Sequence, residues 1–438
     1  MKRTFLRRIN HKLYILMIKY MVSKNLATSA FCIIALVAVS CHSGTTAQND
    51  AAASPVSASP AQAPASPETK PPNSTYKSAF PGQTRAIAVS TQTPLSITVI
   101  DSSLKSPWGI CNLPDGRFLI TGKMGTLRIE TLSGKLDKEI TGLPAVVPDG
   151  QGGLQDINID PQFAANRIIY WSYSEQRPDG TVLAVAKGKL SADETKIENP
   201  TVIYRATPAF KGALQFGSRI VWDKDGNMFV STGERSAKEI RMQAQQLNSA
   251  LGKIVHLTTD GKPVPGGPFA DTANARPEIY AYGLRNPEGL AMNPQTGALW
   301  EAEFGPRGGD EVNIIQPGKN YGWPIITYGI DYSGEKMGEG IQQSPGMEQP
   351  LYYWDPSVSP SGITFYHQGN IPEWEGNLFL GCLSGSHIDR LVIKDNKVVG
   401  EEWLLQNVNE RFRAVRQGKD SALYAITDNG KLYRIAKK

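Results

Sequence analysis

The chain has 438 residues, long enough for one large domain or two or three ordinary ones, and at 40% hydrophobic it can bury a sizeable core. Its formal charge of +5 is carried by the N-terminus: seven of the 46 lysines and arginines lie in residues 1–24, which hold no acid. The other 39 bases face 41 acids, and that near-neutral balance excludes the basic face a nucleic-acid-binding protein needs.

Taken in chain order, residues 1–41 read as an export leader. Met21–Lys24 form a short basic start, with Met21 an alternative initiator, and Ala30–Val39 form an apolar run short for a membrane span. The run ends in "AVSC", which resembles the lipobox of bacterial lipoproteins, so a lipid anchor on Cys41 and a periplasmic or outer-surface location are expected. Residues 42–90 are rich in Ala, Ser and Pro and read as a flexible tether. Beyond the leader only Cys111 and Cys382 remain; they either pair in an oxidising compartment or stay as two buried thiols.

Residues 91–438 form the body. Six times a turn with Asp, Asn, Pro or Gly precedes a short apolar strand: "LPDGRFLIT" (113–121), "DPQFAANRIIYWSYS" (160–174), "DKDGNMFVSTG" (223–233), "NPQTGALWEAE" (293–303), "EWEGNLFLGCL" (373–383) and "GKDSALYAIT" (418–427). Units of this size predict an all-β, six-bladed propeller, ahead of paired β-sandwiches or a β-helix. The uneven spacing puts long loops, and the site, on one face. The best helical stretch is "EIRMQAQQLNSALGKIV" (239–255).

Four stretches carry chemical content. "DGQGGLQDINIDP" (149–161) offers Gln151 in a Gly-rich approach that lets backbone come near a flat ligand. "YAYGLRNPEGLAMNP" (280–294) holds Arg285 and Asn286 in a turn, and Arg is a bidentate partner for carboxylates. "FGPRGGDEVNIIQPGKNYGWP" (304–324) combines backbone carbonyls with Asp310 and Glu311, donors that suit a hard cation such as Ca2+. By composition alone a turn with a solvated acid pair reads better there. "NERFRAVRQGKDS" (409–421) sets Arg411 and Arg413 on one side of a strand, which calls for an anion between them or for solvent. The body's histidines, His256, His367 and His387, read as structural.

With "SPWGICNLPDGRFLITGKMGTLRI", "FGSRIVWDKDG" and "SPSGITFY", these motifs make residues 95–436 resemble the soluble aldose sugar dehydrogenases that depend on pyrroloquinoline quinone (PQQ), the glucose/sorbosone dehydrogenase family. The resemblance implies a six-bladed propeller that oxidises the anomeric carbon of aldoses to lactones and passes electrons to an external acceptor. It implies PQQ lined by Gln151, Arg285, Asn286, Tyr332, Arg411 and Arg413, with Arg285 also stabilising developing charge. It implies Ca2+ on the carbonyls of Gly305 and Pro306, and a further Ca2+ at Glu311 and Tyr321. The family's histidine base falls at Gln215, whose amide cannot accept a proton near neutral pH, and Ser384 stands where the family often has lysine. These departures keep a second class in view, a non-catalytic ligand-binding or cell-envelope propeller. A calcium-dependent lactonase is weaker, because it leaves the arginines without a purpose.

Overall fold

The computed structural model describes residues 65–438. Among them, 24 strands form six four-stranded antiparallel sheets, the blades of the expected propeller. Each of the six repeats is the hairpin that joins a blade's innermost strand to its second strand. Short polar side chains build the turns. Asp223, for example, accepts hydrogen bonds from the backbone N–H groups of Asp225 and Asn227, both at 2.8 Å, before Met228–Thr232 begins.

The innermost strands are Pro107–Asn112, Leu154–Ile159, Gly217–Trp222, Pro287–Met292, Pro360–Phe365 and Phe412–Gln417. They pack in sequence around the axis, and the last also meets the first. Crowding there is relieved by missing side chains: a Cβ on Gly289 would sit 2.7 Å from the Ser361 carbonyl oxygen, and one on Gly362 2.8 Å from the Ala414 Cα. Apolar burial lies mainly in six wedges between neighbouring blades rather than in one centre. The ring closes because Leu95–Asp101 pairs antiparallel with the C-terminal strand Leu432–Lys437, Ile97 opposite Ile435, so one blade takes strands from both ends of the body.

Two expectations are corrected. The tether expected over 42–90 ends earlier, because residues 65–90 run along the propeller as a strap. Asn73 and Ser74 donate backbone N–H groups to the Asp355 carboxylate, Arg85 donates to the Asp355 carbonyl, and Ala88 bridges to Glu401. Residues 239–255 do not form a helix; they hold only a 3-10 turn, Arg241–Gln245, and then Lys253–Leu257, a strand. The buried Lys253 ammonium takes the carbonyls of Gln243, Ala244 and Leu251, all of which a continuous helix would use along its own ladder. Cys111 and Cys382 are buried free thiols. The leader, Cys41 and the first part of the tether lie outside the described residues.

Candidate active site

Every innermost strand has a register shift near its first residues, a device that re-aims side chains at the rim of a closed sheet. Where these strands start, a cavity of about 460 Å³ opens on the axis, a volume suited to a small ligand. Three cations line it, Lys123, Arg411 and Arg413, against two carboxylates, Glu288 and Asp428.

The two arginines project together, as their alternate spacing predicts, and Asp428 lies between them. Its carboxylate is 3.0 Å from Arg411 Nε and 2.9 Å from Arg413 Nε. Burial works to raise the Asp428 pKa, but both guanidiniums outweigh it and hold the carboxyl below its usual range. Arg413 also pairs with Glu288 at 2.7 Å, so it is spent inside the wall. Half of the Arg411 side chain stays exposed. Below them Arg219 pairs with Asp156 at 3.0 Å and lies over the Trp108 ring at 4.0 Å, a buried polar floor.

Gln151 and Tyr332 line the cavity, Tyr332 being 69% exposed at its mouth, and Gly305 and Pro306, the expected calcium carbonyls, line it too. Arg285 and Asn286 do not. Arg285 lies behind the wall and donates Nη1 to the Phe304 and Gly305 carbonyls at 3.0 and 2.6 Å. The Asn286 amide donates to Glu288 and accepts the Gly217 N–H. Both therefore shape the wall instead of touching what fills it. Gln215 is also buried outside the lining: its N–H donates to Gln151 Oε1 at 2.6 Å, and its own Oε1 has no partner. Ser384 stands one shell back, its Oγ 2.8 Å from Oγ of Ser359, a lining residue. None of the three histidines lines the cavity.

The acid pair in the 304–324 loop is not solvated. Consecutive residues on Asp310–Ile315 point to opposite faces. Asp310 accepts N–H groups from Gly305, Val358 and Ser359, which clamps the loop; burial still pushes its carboxyl up to about 6. Glu311 faces the other way, opposite Glu303 and beside Glu301 and Asn313. These three glutamates are buried together, and burial first, then mutual repulsion, pushes Glu301 and Glu311 well above the usual range. Burial raises Glu303 to about 8. Oε1 of Glu301 and Oδ1 of Asn313 have no partner. The Tyr321 hydroxyl is already committed to Ile314 and Gln316, so only its backbone carbonyl is open to a cation.

Sequence reading missed Trp108, Lys123, Glu288, Asp428 and the Arg219–Asp156 pair. All but Asp428 stood inside quoted motifs, and for Trp108, Glu288, Arg219 and Asp156 the available signal was a charged or aromatic residue near the start of an otherwise apolar inner strand.

A family model described as Glucose / Sorbosone dehydrogenase matches residues 104–434. The chain is 40% identical over 347 residues to aldose sugar dehydrogenase YliI of Escherichia coli (strain K12), covering 78% of this chain and 93% of that one. Its fold matches the apo-form crystal structure of the soluble aldose sugar dehydrogenase from Escherichia coli with a TM-score of 0.75 at 39% identity, over 79% of this chain and 100% of that one. It also matches the PQQ-bound form of an aldose sugar dehydrogenase from Streptomyces coelicolor, with a TM-score of 0.65 at 26% identity, over 79% and 99% of the two chains.

Proposed function

The chain belongs to the glucose/sorbosone dehydrogenase family, and from that premise we propose that it is a PQQ-dependent oxidoreductase that converts the anomeric C–OH of an aldose to a lactone and hands the electrons to an external acceptor. The observation that carries this reading is the axial cavity lined by Lys123, Arg411 and Arg413. PQQ is a flat tricarboxylate, and a cavity with one cation more than its carboxylates, including a half-exposed guanidinium, fits it. Arg411, Lys123 and Gln151 would hold it, while Arg413, Arg285 and Asn286 keep the wall in shape. Bound PQQ supplies a quinone that takes up a hydride.

The protein's own part is to orient the sugar and receive its hydroxyl proton. Gln215 cannot take that proton. Among the lining residues the carboxylates are Asp428 and Glu288, and Asp428 is the more exposed. Two arginines make Asp428 a weak base, so we expect slow turnover with Asp428 as acceptor. Calcium is part of the proposal at Glu311, where the buried, unpartnered oxygens of Glu301 and Asn313 fit a cation. At Gly305 the fit is poor, because its carbonyl already accepts from Arg285. Export and lipid attachment at Cys41 complete the reading.

The test is reconstitution. Purified protein is titrated with PQQ in calcium by absorbance, then assayed with aldoses and an artificial acceptor, beside Gln215→His. Binding with turnover in the native chain, faster in Gln215→His, is expected. Binding with turnover only in the variant would mean a cofactor-holding propeller without catalysis, and no binding in either would remove the cofactor from the assignment.

A further inference from the structure

The fifth blade holds a second set of chemical groups that the proposed reaction does not use. Cys382 ends the strand Leu378–Cys382; after a tight turn His387 and then Asp389, on Ile388–Lys394, come back beside it. Leu380 pairs with Asp389, and the Cys382 N–H donates to the His387 carbonyl at 3.0 Å. Period-two alternation therefore puts the thiol, the imidazole and the carboxylate on one face of this hairpin. One ligand atom from each lies within 4.8 Å of the others. All three residues are fully buried.

Each group is held as a metal ligand would be. His387 Nδ1 donates to the Gly385 carbonyl at 2.9 Å, which fixes the tautomer and leaves the lone pair on Nε2. That Nε2 has no partner. The His387 ring is stacked on Trp403 with centroids 4.3 Å apart. Asp389 Oδ2 accepts the Trp354 N–H at 3.0 Å, while Oδ1 has no partner. Glu401 stands behind, accepting from Tyr352 at 2.6 Å and from Trp403 at 2.8 Å. Two unpartnered, fully buried acceptors thus sit beside a thiol, and a buried acceptor without a partner is costly.

We propose that Cys382, His387 and Asp389 bind a zinc ion that pins the Cys382–His387 hairpin. A thiol and an imidazole select zinc over calcium, which takes oxygen donors. The Nδ1–H bond to Gly385 leaves the Nε2 lone pair free to ligate. Binding releases the thiol proton to solvent and leaves a thiolate on the metal. With three protein ligands, the fourth position falls to water. The hairpin also carries Leu383, which lines the axial cavity, and Ser384, so the ion would stiffen one wall of that site.

The protein is unfolded with a chelator and refolded with Co2+ alone, then titrated with Zn2+. We expect a thiolate-to-cobalt absorption band that saturates at one equivalent, is bleached by Zn2+, and is unaffected by Ca2+. Cys382→Ala should lose the band, and His387→Gln should weaken Co2+ binding by tenfold or more. Metal content of the native protein, measured by mass spectrometry, serves where a variant fails to fold: stoichiometric zinc supports the site. No band and no zinc in the native chain would overturn it, leaving a proton shared between Asp389 and Glu401. A band that survives Cys382→Ala would overturn it equally. None of these readouts depends on PQQ or on turnover.

Discussion

Arg411 and Arg413 are two residues apart, yet they should answer differently to removal. Arg413 is enclosed between Glu288 and Asp428. Arg413→Ala strands the buried Glu288 carboxylate, leaves Asp428 to Arg411 alone, and should cost on the order of 3 kcal/mol in urea unfolding. Arg411 pairs with Asp428 from a half-exposed position, so Arg411→Ala should cost below about 1 kcal/mol. Its effect should fall on PQQ affinity instead, weakened by roughly ten- to a hundredfold, the range for a lost charge-assisted hydrogen bond. A titration that finds unchanged affinity in a folded Arg411→Ala would take the half-exposed arginine out of the cofactor site. Glu234 gives a pH signature. Its backbone N–H donates to the Arg285 carbonyl, its Oε2 has no partner, and burial raises its pKa from 4.5 to about 7. Between those values the unfolded chain releases the proton while the folded chain keeps it. This group's contribution therefore falls as pH rises from about 4.5 to 7 and is flat above. Glu234→Gln keeps the protonated shape, so it should match the native chain near pH 4 and exceed it at pH 8 by up to about 3 kcal/mol. Denaturation midpoints at the two pH values measure this.

At the scale of elements, the hairpins were the most legible part of the chain. Turn chemistry and short apolar runs are local, so six turn–strand copies marked all six blades. What was not legible needed partners distant in sequence. Lys253 looked like part of a helix because the carbonyls that hold it, from Gln243, Ala244 and Leu251, are organised only once Thr232 and its strand are in place. Asp310 and Glu311 looked like a solvated pair, because nothing local says that a strand will send them to opposite buried faces. For the site, motifs identified the cavity residues Gln151, Tyr332, Arg411 and Arg413. They could not separate these from Arg285 and Asn286, which stand behind the wall, since a motif marks a position and not a side chain's direction. The paired strands Leu299–Glu303 and Asp310–Ile315 carry the next prediction. Like charges directly opposite on neighbouring strands destabilise a sheet, and Glu303 faces Glu311. Calcium should relieve this, raising the thermal midpoint, and a chelator should lower it. Glu311→Gln should raise the calcium-free midpoint and abolish most of the response to calcium. An equal calcium response in Glu311→Gln would move the ion elsewhere.

For the whole molecule, closure of the ring and attachment of the strap can be separated. Closure depends on Leu95–Asp101 lying against Leu432–Lys437; without it the last blade exposes an unpaired edge and the wedge beside it loses Leu95 as cover. The strap does something else. Residues 73–88 hold Asp355, whose carboxylate approaches Gly308 in the cavity loop, and the Tyr352 hydroxyl donates to Glu401 while accepting the Ala86 N–H. A chain starting at residue 91 keeps the closing pair and loses the strap. It should still unfold cooperatively, at a lower midpoint, with weaker PQQ binding because the Gly305–Gly309 turn has lost its outer support. A chain starting at residue 103 loses both and should not give a cooperative transition at all, since no described strand can take the vacant edge. Urea unfolding followed by tryptophan fluorescence distinguishes the two, because each blade interface is buried only while the ring is shut. Equal cooperativity in both truncations would mean that the five complete blades hold the ring without the closing strand, and that the strap, not closure, sets the stability of the whole.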